Sequence, residues 1–209
     1  MGGTQGIGKA IAESLTSSGH NVLATGRAIV DTSDMSSVRS FAATHQSTDI
    51  LVLNTGGPPA KDFEDVTEDE WRKYHNQLFL GFVTLLQNIT VRDGGYIFLI
   101  SSSVIREPSP RLVISSAYRA AFTEVFKIQS KALAERNISF VNIAPGLVDT
   151  DRARSLLTKM RFDLDSLPMK RMGQPREVGD FVAAIVDRQI KYLSGVTIPF
   201  DGALSAYTF

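Results

Sequence analysis

Five short apolar runs, each unbroken rather than alternating, constrain the fold of this chain more than any other feature. They are Asn21–Thr25 (NVLAT), Asp49–Leu53 (DILVL), Tyr96–Ile100 (YIFLI), Ile138–Ile143 (ISFVNI) and Val196–Phe200 (VTIPF). A strand with one face in water alternates apolar and polar residues, whereas an unbroken run suits a strand covered on both faces. Between the runs lie stretches of helical period near 7–18, 35–45, 67–90, 112–136 and 174–188. Strands alternating with helices imply parallel β-α-β units. The expected architecture is α/β, a doubly wound parallel sheet in a single domain spanning 1–209. In such sheets ligands bind beyond the carboxyl ends of the strands, so the residues just after each run are the candidates for function.

Composition narrows the function classes. With 209 residues, 43% of them hydrophobic and 21% charged, the chain is long enough to bury its own core. Basic and acidic residues balance at 22 each, so no global field favours nucleic acid or an anionic membrane. The absence of cysteine excludes disulfides, thiolate catalysis and cysteine-ligated zinc. His20, His45 and His75 are scattered without ligand spacing, so no metal site is expected. No apolar run approaches the roughly 18 residues that span a bilayer. No signal peptide is visible, and a cytoplasmic location is expected.

The chain opens Met-Gly-Gly-Thr-Gln-Gly-Ile-Gly. Gly2, Gly6 and Gly8 give the spacing G-x-x-x-G-x-G, and a helical stretch follows. Glycines there let backbone approach a pyrophosphate closely, while the helix N-terminus offers free N–H groups and partial positive charge. Taken alone, the same residues also suit a flexible glycine-rich terminus.

The spacing resembles the cofactor loop of the short-chain dehydrogenase/reductase family, and the resemblance extends over nearly the whole chain. Asp31 and Asp34 (VDTSD) match the segment that contacts adenine in that family. Asn54-Thr55-Gly56-Gly57 resembles its N-N-A-G turn. Asp69-Glu70-Trp71, with Gly81 ten residues after the tryptophan, is similar to its fourth helix. Ser101-Ser102 follows the fifth family strand, as its catalytic serine does. Ala144-Pro145-Gly146 with Thr150 resembles the loop that packs on nicotinamide. Met169–Pro175 (MKRMGQP) and the ending SGVTIPFDGA match its C-terminal signature. The resemblance implies a Rossmann-like fold and a dinucleotide held by Gly2, Gly6, Ile7, Gly8, Asp31, Asn54, Gly56, Pro145, Gly146 and Thr150.

The type of dinucleotide follows from the end of the second family strand, Thr25-Gly26-Arg27. An acidic residue there hydrogen-bonds a ribose 2′-hydroxyl and repels a 2′-phosphate. Gly26 stands in its place, and the Arg27 guanidinium suits a phosphate. NADP(H) is therefore expected, although Arg27 also reads as a solvated loop charge.

The catalytic centre departs from the family pattern of Asn, Ser, Tyr and Lys. Counting from Ser102, the tyrosine position falls on Ser115 and the lysine position on Arg119; the asparagine position falls on Leu78. Ser102 alone is retained. Arg119 is cationic and still suits a clamp on the cofactor ribose, but it is a poor proton shuttle. Ser115 can orient a carbonyl or a water, yet an alcohol is far less acidic than a phenol. Tyr118 lies on a neighbouring line of the helix and reads better as packing; Asn76 misses the asparagine position by two residues. These losses suit hydride addition to an enone, where charge spreads into an enolate and water delivers the later proton. Tyrosine-lacking family members perform such conjugate reductions, and Pro168–Gly173 (PMKRMG) is similar to them. Arg106, Arg111, Arg152, Arg154 and Arg161 flank the expected substrate region, and one or two of them suit an acidic substrate. Residues 153–168, including Phe162, fall where the family carries its lid.

Two features are anomalous against the family. Its first strand precedes the glycine loop, and no residues stand there to supply it, so either this sequence is a truncation of a longer chain, which is the favoured expectation, or the sheet forms without that strand. Its second and third strands are joined by a helix, whereas Arg27–Asp31 leaves one or two residues for that connection. A parallel crossover needs about a dozen, so the third strand is expected to be absent or vestigial. The leading expectation is an NADP(H)-dependent reductase of a small carbonyl or enone substrate, with a catalytically inactive dinucleotide-binding or scaffolding protein as the rival. Family members assemble through their long helices, which implies a homodimer or homotetramer.

Overall fold

Four of the five apolar runs form strands in the computed structural model, which describes residues 1–160 and 163–207. Arg161 and Phe162 lie outside the described residues. The strands are β1 (Ser47–Leu53), β2 (Thr90–Ile100), β3 (Ser139–Pro145) and β4 (Val196–Phe200). They pair in sequence order, all parallel. Helices α1 (Gly6–Ser17), α2 (Met35–Thr44), α3 (Glu68–His75), α4 (Gly81–Asn88), α5 (Val113–Ala132), α6 (Asp151–Met160) and α7 (Pro175–Asp187) complete the regular elements.

Side-chain alternation along the strands feeds two cores. On β2, Ile97 and Leu99 face a cluster with Phe41, Phe82, Leu85, Phe122 and Phe126, contributed by α2, α4 and α5. Tyr96, Phe98 and Ile100 face the opposite cluster with Ile11, Leu15, Val178 and Val182, contributed by α1 and α7. This two-sided burial is why the runs are unbroken: Leu51 and Leu53 of β1, Tyr96–Ile100 of β2 and all of β3 are buried between the helix layers. On the second face α1 and α7 approach closely, because a β-carbon on Gly179 would fall 2.6 Å from the Ala10 carbonyl oxygen.

The helix starts follow local chemistry. Thr67 and Glu70 form a reciprocal capping box at α3. Pro175 occupies the first turn of α7, where Gln174 and Glu177 cap one another. The Asp34 side chain accepts from the Ser36 N–H and caps α2.

Two expectations need correction. First, Asn21–Thr25 is not a strand. A ladder needs a neighbour, and a groove of about 400 Å³ separates this segment from β1. Ile11, Leu15, Val22, Phe41 and Val52 are among its lining residues. Gly3 N–H reaches the Thr25 carbonyl on one side of the groove at 2.7 Å. The Met1 amino group reaches the Val52 carbonyl on the other side, also at 2.7 Å. Second, the helix expected over 67–90 is interrupted. Residues Asn76–Leu80 form one π-helical turn between α3 and α4. A β-carbon on Gly81 would fall 2.9 Å from the Thr32 carbonyl oxygen, so the incoming 26–34 segment packs tightly against this break. The region read as the lid holds α6. As expected from the short connection, no strand forms over 26–34; Ile29 and Val30 turn back onto the Gly26 carbonyl and the chain enters α2.

Candidate active site

The carboxyl ends of β1, β2 and β3 open onto one region, and the glycine loop closes one side of it. Gly2 and Gly6 take positive φ of 54° and 51°, values that side chains disfavour. A β-carbon on Gly8 would overlap the Gly2 carbonyl oxygen and fall 2.5 Å from Asn54 Nδ2. Asn54, just beyond β1, donates from Nδ2 to that Gly2 carbonyl at 3.1 Å and braces the loop. Gln5 precedes α1 without a side-chain cap, so the first-turn N–H groups of Gly6, Ile7 and Gly8 remain open to an oxyanion. At the end of β3, Pro145 pairs with Phe200, and just beyond it Gly146 N–H donates to the Phe200 carbonyl at 3.1 Å. This loop returns Thr150 to the glycine loop, where its Cγ2 lies 3.0 Å from a β-carbon built on Gly6. The cradle, its brace and its uncapped helix end fit the phosphates of a dinucleotide.

Arg27 and Asp31 stand at the rim. Arg27 is 78% exposed and lies 3.9 Å from Asp31. Asp31 Oδ1 also accepts from Ser33 N–H and Oγ, so its carboxylate shapes the loop ahead of α2. Gly26 packs against Thr4, whose Oγ1 lies 2.7 Å from a β-carbon built there.

Ser115 and Arg119 lie one turn apart on α5, and both are buried. Arg119 donates through Nε to Ser115 Oγ at 3.1 Å. Nη1 donates to the Ile100 and Ser101 carbonyls at 3.0 and 3.2 Å, and Nη2 to the Thr55 carbonyl at 3.2 Å. One guanidinium therefore ties together the ends of β1 and β2. Burial, with repulsion from Arg152 added, lowers the Arg119 pKa to about 10, and it stays cationic near neutrality. Ser102 begins the turn after β2, where its Oγ accepts from the Val104 N–H at 3.5 Å. Gly56 is exposed beside this cluster.

Tyr118 packs edge-on to Trp71 and His75, with centroids 5.6 and 5.4 Å away, and burial raises its pKa. Asn76 donates to the Ser33 carbonyl at 3.4 Å. The sequence reading missed Gln77. It is 4% exposed and donates to Thr55 Oγ1 at 3.3 Å and to the Gly56 carbonyl at 2.8 Å. Counting residues along an uninterrupted helix gave no signal for it, because the π turn adds one residue and rotates Gln77 toward β1.

The chain is similar in sequence and fold to several known proteins. A family described as enoyl-(acyl carrier protein) reductase matches residues 29–205. The chain is 28% identical to the 3-oxoacyl-[acyl-carrier-protein] reductase MabA of Mycobacterium bovis over 222 residues, covering 97% of this chain and 90% of the relative. Its fold matches the angucycline C-6 ketoreductase LanV with bound NADP at a TM-score of 0.88 and 22% identity, covering 97% and 92% of the two chains. It matches a 3-oxoacyl-[acyl-carrier protein] reductase from Brucella melitensis in complex with NAD at 0.85 and 22%, covering 100% and 96%. With a parallel α/β sheet, a glycine loop braced from β1 and a family match over most of its length, the chain belongs to the short-chain dehydrogenase/reductase family of oxidoreductases.

Proposed function

We propose that the protein is an NADP(H)-dependent reductase of a small carbonyl or enone substrate. The observation that carries this reading is the cradle at Gly8, where any side chain would overlap the Gly2 carbonyl oxygen. Backbone packed that tightly ahead of an uncapped helix leaves room and donors for phosphate oxygens and little else. Gly2, Gly6, Ile7 and Gly8 hold the pyrophosphate in this reading. Arg27, exposed at the rim, meets the 2′-phosphate; Asp31 and Asn54 shape the loops around it. Gly56, Pro145, Gly146 and Thr150 border the nicotinamide half.

A bound reduced nicotinamide supplies a hydride. The residues of this chain supply binding and positive potential rather than a matched acid. Arg119 donates to Ser115 Oγ, so the Ser115 hydroxyl proton remains available to a substrate oxygen. Ser102 offers a second hydroxyl from the end of β2. The fixed Arg119 charge stabilises negative charge developing on that oxygen without giving up a proton. Such a centre suits conjugate reduction: hydride joins the far carbon of the enone, the enolate oxygen takes the charge, and water protonates the adjacent carbon. Homodimeric or homotetrameric assembly through the outer faces of α3–α4 and α5 belongs to the same reading, and Ile128 on α5 is 63% exposed.

The test is calorimetric titration of the purified protein with NADPH and, separately, NADH. Tight NADPH and weak NADH binding is expected. Binding of neither overturns the reading, and equal binding removes Arg27 from it. If NADPH binds but no enone or ketone is turned over, the protein is the non-catalytic dinucleotide-binding alternative.

A further inference from the structure

Of the arginines flanking the carboxyl end of the sheet, most are engaged on the surface. Arg154 pairs with Asp149 at 2.6 Å, Arg111 with Asp62 at 3.5 Å, and Arg106 stands over the Tyr207 ring. Arg152 behaves differently. From the first turn of α6 its Nη2 reaches inward to the Pro58 carbonyl at 2.6 Å. It converges there with Arg119. The point where a β-carbon on Gly57 would sit is 3.0 Å from Arg152 Nη2 and 3.6 Å from Arg119 Nη2. Among the described residues, no carboxylate lies within ion-pair distance of either guanidinium.

Donor counting shows what the pair lacks. A guanidinium carries five N–H donors. Arg119 places one on Ser115, two on the Ile100 and Ser101 carbonyls and one on Thr55, leaving one N–H on the Nη2 that faces Gly57. Arg152 places one on Pro58. Like charges brought together in a partly enclosed site are costly without a counter-charge. Burial foremost, and the Arg152 charge after it, lower the Arg119 pKa. In this reading the glycine loop holds the cofactor phosphates, and the spare Arg119 N–H serves an oxyanion beside Arg152 in place of the ribose clamp that the family resemblance implies. Arg152 is exposed on its outer side, which gives that anion a way in.

We propose that Arg119 and Arg152 form a carboxylate subsite over Gly57, and that the substrate is a small organic acid whose carboxylate bridges the two guanidiniums. This deepens the reductase reading and rests on it for the identity of the ligand as substrate. Arg152 is the specificity-determining residue, and the glycine at position 57 keeps the space between the two side chains open.

The experiment compares trans-cinnamate with the nearly isosteric, uncharged trans-cinnamamide, each titrated into the protein with and without saturating NADPH. The acid is expected to bind at least about tenfold more tightly than the amide, about 1.4 kcal/mol. Arg152→Gln is expected to bring the two within about twofold while leaving NADPH affinity unchanged. Gly57→Ala, which fills the convergence point, is expected to weaken the acid selectively. Circular dichroism melts of both variants check that they fold. Equal binding of acid and amide, or binding of neither, overturns the subsite. A loss of NADPH affinity in Arg152→Gln also overturns it, by assigning Arg152 to a cofactor phosphate. Failure of NADPH to bind the unaltered protein overturns the reductase reading instead, and acid-over-amide preference in cofactor-free protein then still reports on the arginine pair.

Discussion

At the scale of single residues, the behaviour of this protein turns on a few side chains packed against backbone. Gly8→Ala would press a methyl group onto the Gly2 carbonyl and Asn54, so the loop must shift. We expect at least a tenfold loss of dinucleotide affinity by titration, with a smaller change in melting temperature. Arg119→Met would strand the Ile100, Ser101 and Thr55 carbonyls without their donor. At roughly 1–3 kcal/mol for each buried group left unsatisfied, a loss of several kcal/mol in urea unfolding is expected. Arg119→Lys should recover part of it, because an ammonium has three donors but no fork. Ser102→Ala removes a hydroxyl that accepts one long bond, so it should leave stability within about 0.5 kcal/mol. Once a substrate is in hand it should lower kcat; unchanged turnover would take Ser102 out of the reaction.

At the scale of elements, caps and interruptions decide where side chains point. Glu177 closes the start of α7 by accepting from Gln174 N–H and pairing with Arg171 at 2.8 Å. Those contacts lower its pKa from the ordinary carboxylate value to about 2, the Arg171 bond foremost. A carboxylate with a depressed folded pKa contributes stability that is complete above about pH 4.5 and lost as pH falls toward 2. Glu177→Gln should therefore melt below the wild type at pH 5 and close the gap by pH 2. A gap independent of pH would mean that the cap acts through shape and not charge. The π turn at Asn76–Leu80 is the other decisive element. Gln77→Leu keeps the volume but leaves the Gly56 carbonyl unpaired. It is expected to loosen the 54–58 turn, seen as faster amide exchange there.

At the scale of the whole molecule, two helix layers compress one parallel sheet. Phe98 is fully buried in the layer under α1 and α7. Phe98→Ala should cost about 3–5 kcal/mol in chemical denaturation. The groove of about 400 Å³ between 21–25 and β1 is the weak side of the sheet. Joining a five-residue, valine-rich extended segment ahead of Met1 would offer both walls a partner and is expected to raise the melting temperature by several degrees. An unchanged value would show that the walls do not accept a strand.

The sequence by itself determined the α/β alternation, because unbroken apolar runs and 3.6-residue periods are local signals that survive without any tertiary context. It also determined the glycine loop, where backbone needs no side-chain partner to be recognised, and the short 26–34 connection, which chain length alone forbids from being a crossover. Ser115 and Arg119 were reached only by counting from Ser102 along the spacing that the family resemblance implies, and their four-residue separation on α5 lets them hydrogen-bond. Tertiary structure alone decided that Asn21–Thr25 is not a strand, because a ladder is a property of two segments. It decided that the helix over 67–90 breaks into a π turn that delivers Gln77. It brought Arg152 across some hundred residues of chain to the turn after β1, where it meets Arg119. Charges that converge across that distance leave no periodicity in a sequence, and only the folded backbone sets where they meet.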